Sequence, residues 1–235
     1  MARIKLKQLE IELESVSVFE EPNILLEQYP TTPHIAARML HTIQSRFHDI
    51  DGRTVADLGV GCGVLSIGAS LLGCGHCVGI DCDADALDQT RENLEELEVE
   101  NVDLIQVDLS NPELSPLMES SVDNPPFGTK RSKGIDVVFV QHALKMSRRS
   151  VYSLHKSSTR QHFIKKAAEW GVDIEVVAQL RFDLAKTFKC HKQKSVDIEV
   201  DLIRFSHRKK IAAKAKKAAP KSSQISSASE PGPSS

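Results

Sequence analysis

No run of apolar residues in this 235-residue chain approaches the ~20 that a membrane-spanning helix needs. The first ten residues, MARIKLKQLE, also lack the apolar core of a secretory signal, which argues against secretion. Cysteine is sparse: there are five, an odd number, consistent with reduced thiols in a cytosolic or nuclear protein. Cys74 and Cys77 form one C-x-x-C with Cys82 close by, but no second pair completes a four-ligand zinc site. Small buried thiols along a strand are the expectation, and no metal is expected.

Net charge is nearly absent as well, at −2, yet it is unevenly placed. From His207 onward there are seven Lys/Arg and one Glu, which leaves the body with 23 basic and 31 acidic residues, a balance of −8. An acidic body implies that contact with nucleic acid is made by a local patch or with a partner's help. The whole chain is 40% hydrophobic and 26% charged, the composition expected of one soluble globular domain with a substantial core.

IKLKQLEIELESV reads as an amphipathic helix, and Thr32-Pro33 as the N-cap and first residue of a helix running to about Gln44. An α/β rhythm follows. TVADLGV, HCVGIDC and VDLIQVDL read as strands, separated by the helices GVLSIGASLLG and DADALDQTRENLEEL, the second capped by Asp83. GIDVVFVQHALKMS is a helix, SVYSLHK a strand, and STRQHFIKKAAEWG a helix ending at Gly171. DIEVVAQLRFDL and SVDIEVDLIRFS alternate like an antiparallel pair at one sheet edge. The expectation is a mostly parallel sheet covered by helices on both faces over residues 1–206. The Ala/Lys/Ser/Pro-rich tail, 207–235, is expected to be disordered. RKKIAAKAKKAAPK within it suits a nuclear signal, a nucleic-acid contact or a solubilising tail.

Two stretches carry chemistry. DLGVGCGVLSIG places Asp57, Gly59, Gly61 and Gly63 between a strand and a helix. Glycines there let backbone approach a ligand, and the helix start offers N–H groups to an anion. The spacing differs from the dinucleotide pattern G-x-G-x-x-G and resembles motif I of class I S-adenosylmethionine-dependent methyltransferases. Asp81 ends the second strand, where a carboxylate can bind ribose hydroxyls. Asp108 ends the third, where its side chain or the N–H of Leu109 can reach the adenine amine of the cofactor. Each also reads as an Asp capping the next turn.

The second stretch is Asn124-Pro125-Pro126-Phe127. The Asn124 side-chain carbonyl and the Pro125 backbone carbonyl can each accept one N–H of a planar amine. That favours a pyramidal nitrogen with its lone pair aimed at a sulfonium methyl, so catalysis is positioning plus charge stabilisation. The prolines stiffen the loop, Phe127 can stack on the base, and that base must be flipped out or unpaired. Such a motif serves any planar nitrogen, including a glutamine amide in a protein.

Taken with LLEQYPTTPHIAARML, NPPFGTK, VYSLHKSSTR and KSVDIEVDLIRF, these stretches resemble the methyltransferase-like 5 family of adenine-N6 methyltransferases over roughly residues 1–206. The resemblance implies a Rossmann-like, seven-stranded sheet and 18S ribosomal RNA as substrate. It also implies a heterodimer with a multifunctional methyltransferase subunit 112-like activator protein, and residence in nucleolus and cytoplasm. Cofactor contacts implied are Gln28 and Thr31, then Gly59, Cys62 and Val64, with Asp81, Asp108 and Leu109. HKSSTR at 155–160, with Lys189, Lys192 and Lys194, is a candidate RNA patch.

The chain departs from that pattern just before the second motif. The family has about four apolar residues between an Asp and the Asn; here Asp123 abuts Asn124. A central parallel strand should be nearly all apolar, and four residues at ~3.3 Å each are most of a strand's length. Either polar residues at 119–121 enter the sheet centre or the motif is drawn back from the cofactor. The expectation is an impaired or silent form, by isoform or gene-model error, of an otherwise active enzyme.

Overall fold

A computed structural model describes residues 4–23, 26, 28–110, 120–123, 134–185 and 195–208. Asn124, Pro125, Pro126, Phe127, Lys189, Lys192, Lys194 and the tail from residue 209 lie outside the described residues.

The chain opens with α1 (Leu6–Leu13), whose Leu9 and Leu13 are fully buried, and α2 (Pro33–Phe47). Thr32 caps α2 as its sequence predicts, its side chain accepting from the Ile35 N–H at 3.4 Å, with Pro33 in the first turn. The helix runs three residues past the expected end and stops where His48 takes a left-handed conformation. Alternating elements follow: β1 (Thr54–Leu58), α3 (Val64–Leu71), β2 (His76–Asp81), α4 (Ala84–Glu96) and β3 (Val102–Gln106). Then come β4 (Ser120–Asp123), α5 (Ile135–Met146), β5 (Ser150–Lys156), α6 (Arg160–Trp170), β6 (Val172–Ala185) and β7 (Ser195–His207). Asp83 caps α4 through the Asp85 N–H, and Gly171 ends α6 at φ 69°.

The seven strands lie in the order β3-β2-β1-β4-β5-β7-β6. The first five are parallel, and β7 runs antiparallel to both β5 and β6, as the alternation in the last two strands implies. Period-two alternation divides the core between the two faces. Val55 and Cys77 face α1, α2 and α3, while Ala56, Leu58, Val78 and Ile80 face α5 and α6. Each fully buried Leu or Ile in these layers stabilises the fold by roughly 1.5–3 kcal/mol.

β7 extends through His207, whose Nε2 lies 2.8 Å from the Ser147 carbonyl, and Arg208 reaches Asp173. The last strand therefore ends one residue past position 206. In the other direction β3 stops at Gln106, so Asp108 lies two residues beyond its end.

Of the residues on which the two alternatives for the fourth strand turn, Ser120 and Ser121 are described, whereas residue 119 and the motif from Asn124 lie outside the described residues. Ser120–Asp123 occupies the centre of the sheet, pairing Val55 to Leu58 on one side and Val151 to Ser153 on the other. Ser120 and Ser121 thus stand in the ladder where a doubly covered parallel sheet calls for apolar residues. Strand order reverses between β1 and β4, the crevice where open α/β sheets bind ligands.

Candidate active site

The turn after β1 is built for close approach. Gly59, Gly61 and Gly63 all have positive φ, at 79°, 55° and 84°. The N–H groups of Gly59 and Val60 both donate to the Ile80 carbonyl, which ties the turn to the end of β2. Asp81 completes the tie: its Oδ2 accepts from the Gly61 N–H at 3.0 Å and its Oδ1 from the Asp83 N–H at 3.1 Å.

α4 holds the same turn from the other side. Thr90 Oγ1 donates to the Gly61 carbonyl at 2.6 Å, and Asn93 Nδ2 to the Cys62 carbonyl at 2.9 Å. Neither residue stands out in the sequence, because its partner is about thirty positions away. Their only signal is their place on the inner face of a helix that follows the acidic strand end.

A cavity of about 320 Å³ opens over this turn. Its lining includes Gly59, Gly61, Cys62 and Val64 from the turn and α3, and Asp81, Asp108 and Leu109 from the ends of β2 and β3. Gln28 and Thr31 enter from the segment before α2. The cavity therefore gathers nine of the eleven residues that the sequence marks for the cofactor. Asp57 and Gly63 are not among its lining residues. A Cβ at Gly63 would lie 2.7 Å from the Thr90 methyl carbon, so this glycine serves helix packing. Asp57 is buried under α3, with Oδ2 accepting from Ser66 Oγ at 2.7 Å and Oδ1 without a hydrogen-bond partner among the described residues.

Phe19 and Phe139 also line the cavity, and sequence reasoning passed over both. A Cβ at Gly59 would point at Phe139, 3.5 Å away, and one at Gly61 at Phe19, 3.7 Å away. A side chain at either glycine would thus occupy the space between turn and aromatic wall.

Electrostatics follow from burial. Desolvation pushes the Asp57 carboxyl up to about 7 against the opposing Ser66 hydrogen bonds. Asp81 is raised by burial, against backbone hydrogen bonds from Asp83, Gly61 and Cys82. Burial lifts the Cys62 thiol to about 12 and Cys82 to about 11, so neither is a thiolate nucleophile near neutrality. Asp108 moves the other way, lowered by its hydrogen bonds to Ser110, whose N–H donates to Asp108 Oδ1 at 2.8 Å. It caps a turn and borders the cavity at once.

Of the candidate RNA patch, His155 is turned inward and Arg160 is engaged by an ion pair, while Lys189, Lys192 and Lys194 lie outside the described residues. His155 is 2% exposed, its ring stacked 3.7 Å from Phe163, and desolvation pushes it down to about 3. Arg160 grips Asp201 with two hydrogen bonds of 2.7 Å, and Ser157 Oγ donates to the same carboxylate. The β5–β7 ladder places Asp201 directly opposite His155, which is what brings the carboxylate to Arg160 and Ser157.

A glycine turn after β1, a carboxylate ending β2 and a cavity at the strand-order reversal define a class I methyltransferase. Comparison with known proteins agrees. The family described as Ribosomal protein L11 methyltransferase (PrmA) matches residues 29–123. The rRNA N(6)-adenosine-methyltransferase METTL5 of Danio rerio is 55% identical over 205 residues, 86% of this chain and 99% of its own. Its counterpart in Drosophila melanogaster is 52% identical over 87% of this chain and 98% of its own. The crystal structure of PH1948 from Pyrococcus horikoshii superposes with a TM-score of 0.77 at 32% identity, covering 87% of this chain and 96% of that one. The chain belongs to the METTL5 family of rRNA N(6)-adenosine-methyltransferases.

Proposed function

We propose that this chain transfers a methyl group from S-adenosylmethionine to the N6 amine of an adenosine in 18S ribosomal RNA. It does so as a heterodimer with a small multifunctional methyltransferase subunit 112-like activator, in nucleolus and cytoplasm. The observation that carries the reading is the register of β4 on β1. Asp123 pairs with Leu58, so Asn124 and Gly59 each follow the same rung of the sheet. In sequence, the acceptor motif and the glycine turn therefore both begin one residue past that rung.

The cavity residues suit the cofactor. Two glycines without side chains leave room between the turn and Phe19 and Phe139, and the Asp81 carboxylate keeps acceptor capacity for hydroxyls. When bound, S-adenosylmethionine supplies the electrophilic sulfonium methyl. Gln28 and Thr31 contribute from the amino-terminal side, and Asp108 and Leu109 border the end that receives the adenine ring. Asn124 and Pro125 accept the two hydrogens of the target amine, and Phe127 stacks on the flipped base. No general base is required in this scheme, since the amine proton becomes acidic only after the nitrogen is alkylated.

The match to PrmA ends at Asp123, one residue before the acceptor motif, so it bears on the cofactor half and leaves the acceptor open. A glutamine-N5 acceptor in a protein is the competing outcome. The polar four-residue β4 favours a lowered rate, because a shift of the motif by even ~1 Å can cost ~100-fold. Labelled methyl transfer to ribosomal RNA tests the reading: label recovered as N6-methyladenosine supports it, and label recovered in protein glutamine contradicts it.

A further inference from the structure

The segment between α1 and α2 forms the cavity's outer wall, contributing Val16, Val18 and Phe19 as well as Gln28 and Thr31. Little regular structure holds this strap, and α4 with its N-cap fixes it from outside at two places: Gln28 Nε2 donates to Asp83 Oδ2 at 2.6 Å near its second end, and Asn93 holds Ser17 near its first. Asn93 Oδ1 accepts from the Ser17 N–H at 3.0 Å, and Asn93 Nδ2 donates back to the Ser17 carbonyl at 2.9 Å. The same Nδ2 donates to the Cys62 carbonyl in the glycine turn, also at 2.9 Å. Both N–H bonds of the amide are used, and the side chain is 1% exposed. Ser17 is exposed, so its backbone could pair with water instead. A second contact joins the same two segments, since a backbone hydrogen bond from Phe19 reaches the Cys62 thiol.

We propose that Asn93 is a positioning residue that latches the Val16–Phe19 part of the strap to the glycine turn, so that one side chain couples that stretch of the outer wall to the cavity floor. It touches neither cofactor nor substrate; it acts through Ser17 and Cys62. The geometry requires an amide. A carboxylate at this place would keep the bond from the Ser17 N–H but lose both donated bonds. An aliphatic residue would orphan the Cys62 carbonyl in a dry interior. Thr90, one turn earlier on α4, holds the Gly61 carbonyl, so the latch acts on a turn already braced. Loosening it should open the outer wall while leaving the sheet intact.

The proposal rests on reading the cavity as the S-adenosylmethionine site, and its test separates the two. Hydrogen exchange on the ligand-free protein reads the latch alone. Asn93→Ala should speed exchange across Ser15–Phe19 about tenfold or more relative to the sheet. Calorimetry should then show the Kd for S-adenosylmethionine raised roughly tenfold, with kcat at saturating cofactor within about threefold of the parent. Should Asn93→Ala not fold, Ser17→Pro removes the strap's donated bond without touching α4 or the turn. It should raise the Kd by roughly threefold with the melting temperature held within about 2 °C. An unchanged exchange rate, or an unchanged Kd in a folded variant, would overturn the latch. A parent protein that binds no S-adenosylmethionine would instead overturn the reading of the cavity, while the exchange result would still judge the latch.

Discussion

The Gly61 N–H donates to Asp81 Oδ2 at 3.0 Å, joining the glycine turn after β1 to the end of β2. This one bond makes Asp81 both a wall of the cavity and the brace of its floor. Asp81→Ala should therefore cost stability and binding together. The orphaned Gly61 and Asp83 N–H groups predict a loss of about 1–3 kcal/mol, read by urea unfolding. Affinity for S-adenosylmethionine should fall at least tenfold. Asp81→Asn, which keeps one acceptor oxygen, should be milder on stability than on binding.

Gly61 and Gly63 share positive φ but have different surroundings, and alanine should separate them. At Gly61 a methyl group projects toward Phe19 with ordinary clearance, and backbone strain of about 1–2 kcal/mol is the main stability cost. Binding should suffer most there, because the methyl group narrows the cavity. At Gly63 it would meet Thr90 at 2.7 Å and force α4 away from the turn. Gly63→Ala should show the larger drop in melting temperature.

Asp57 predicts a pH signature. Burial raises its carboxyl from an ordinary 3.8 to about 7, so the folded state holds the proton more tightly than the unfolded chain. Its stabilising contribution is full below pH 3.8 and is lost as pH rises through about 7. The amount is on the order of 4 kcal/mol. Asp57→Asn cannot titrate and keeps an acceptor for Ser66. From pH 5 to pH 8 the parent should lose markedly more unfolding free energy than this variant. Parallel profiles would show that Asp57 is ionised throughout.

The short fourth strand predicts a gain by insertion. Four apolar residues placed between Asp123 and Asn124 would take the rungs now held by Ser120–Asp123 once the strand shifts back by four, and so give β4 the buried character its position calls for. Methyl transfer should rise by roughly 10- to 100-fold if the motif is displaced in the present chain. An insertion variant no faster than the parent would show that Ser120–Asp123 already supports the site.

Much of this was legible in the sequence where the physics is local. The Thr32-Pro33 cap, the Asp83 cap and the Gly171 stop depend on neighbours within a few positions, and each forms as its residues predict. The glycine turn was legible because its spacing and its place between strand and helix carry the chemistry together. What escaped depends on distant partners. Asn93 is a routine helix residue until Ser17 and Cys62 arrive, from 76 and 31 positions away. HKSSTR reads as a charged surface until the β5–β7 ladder sets Asp201 beside it and turns Arg160 into an ion-pair partner. Asp57 and Gly63 belong to the same motif as the lining residues, yet they brace the turn from behind, a distinction that spacing alone does not make.

The most direct test is methyl transfer from labelled S-adenosylmethionine to ribosomal RNA, with nucleoside analysis of the product, for the parent and for Asn124→Ala. The account predicts label in N6-methyladenosine from the parent, at a low rate. It predicts loss of that label in Asn124→Ala, with S-adenosylmethionine binding retained. Label of equal yield from both proteins, or label confined to protein glutamine, would contradict it.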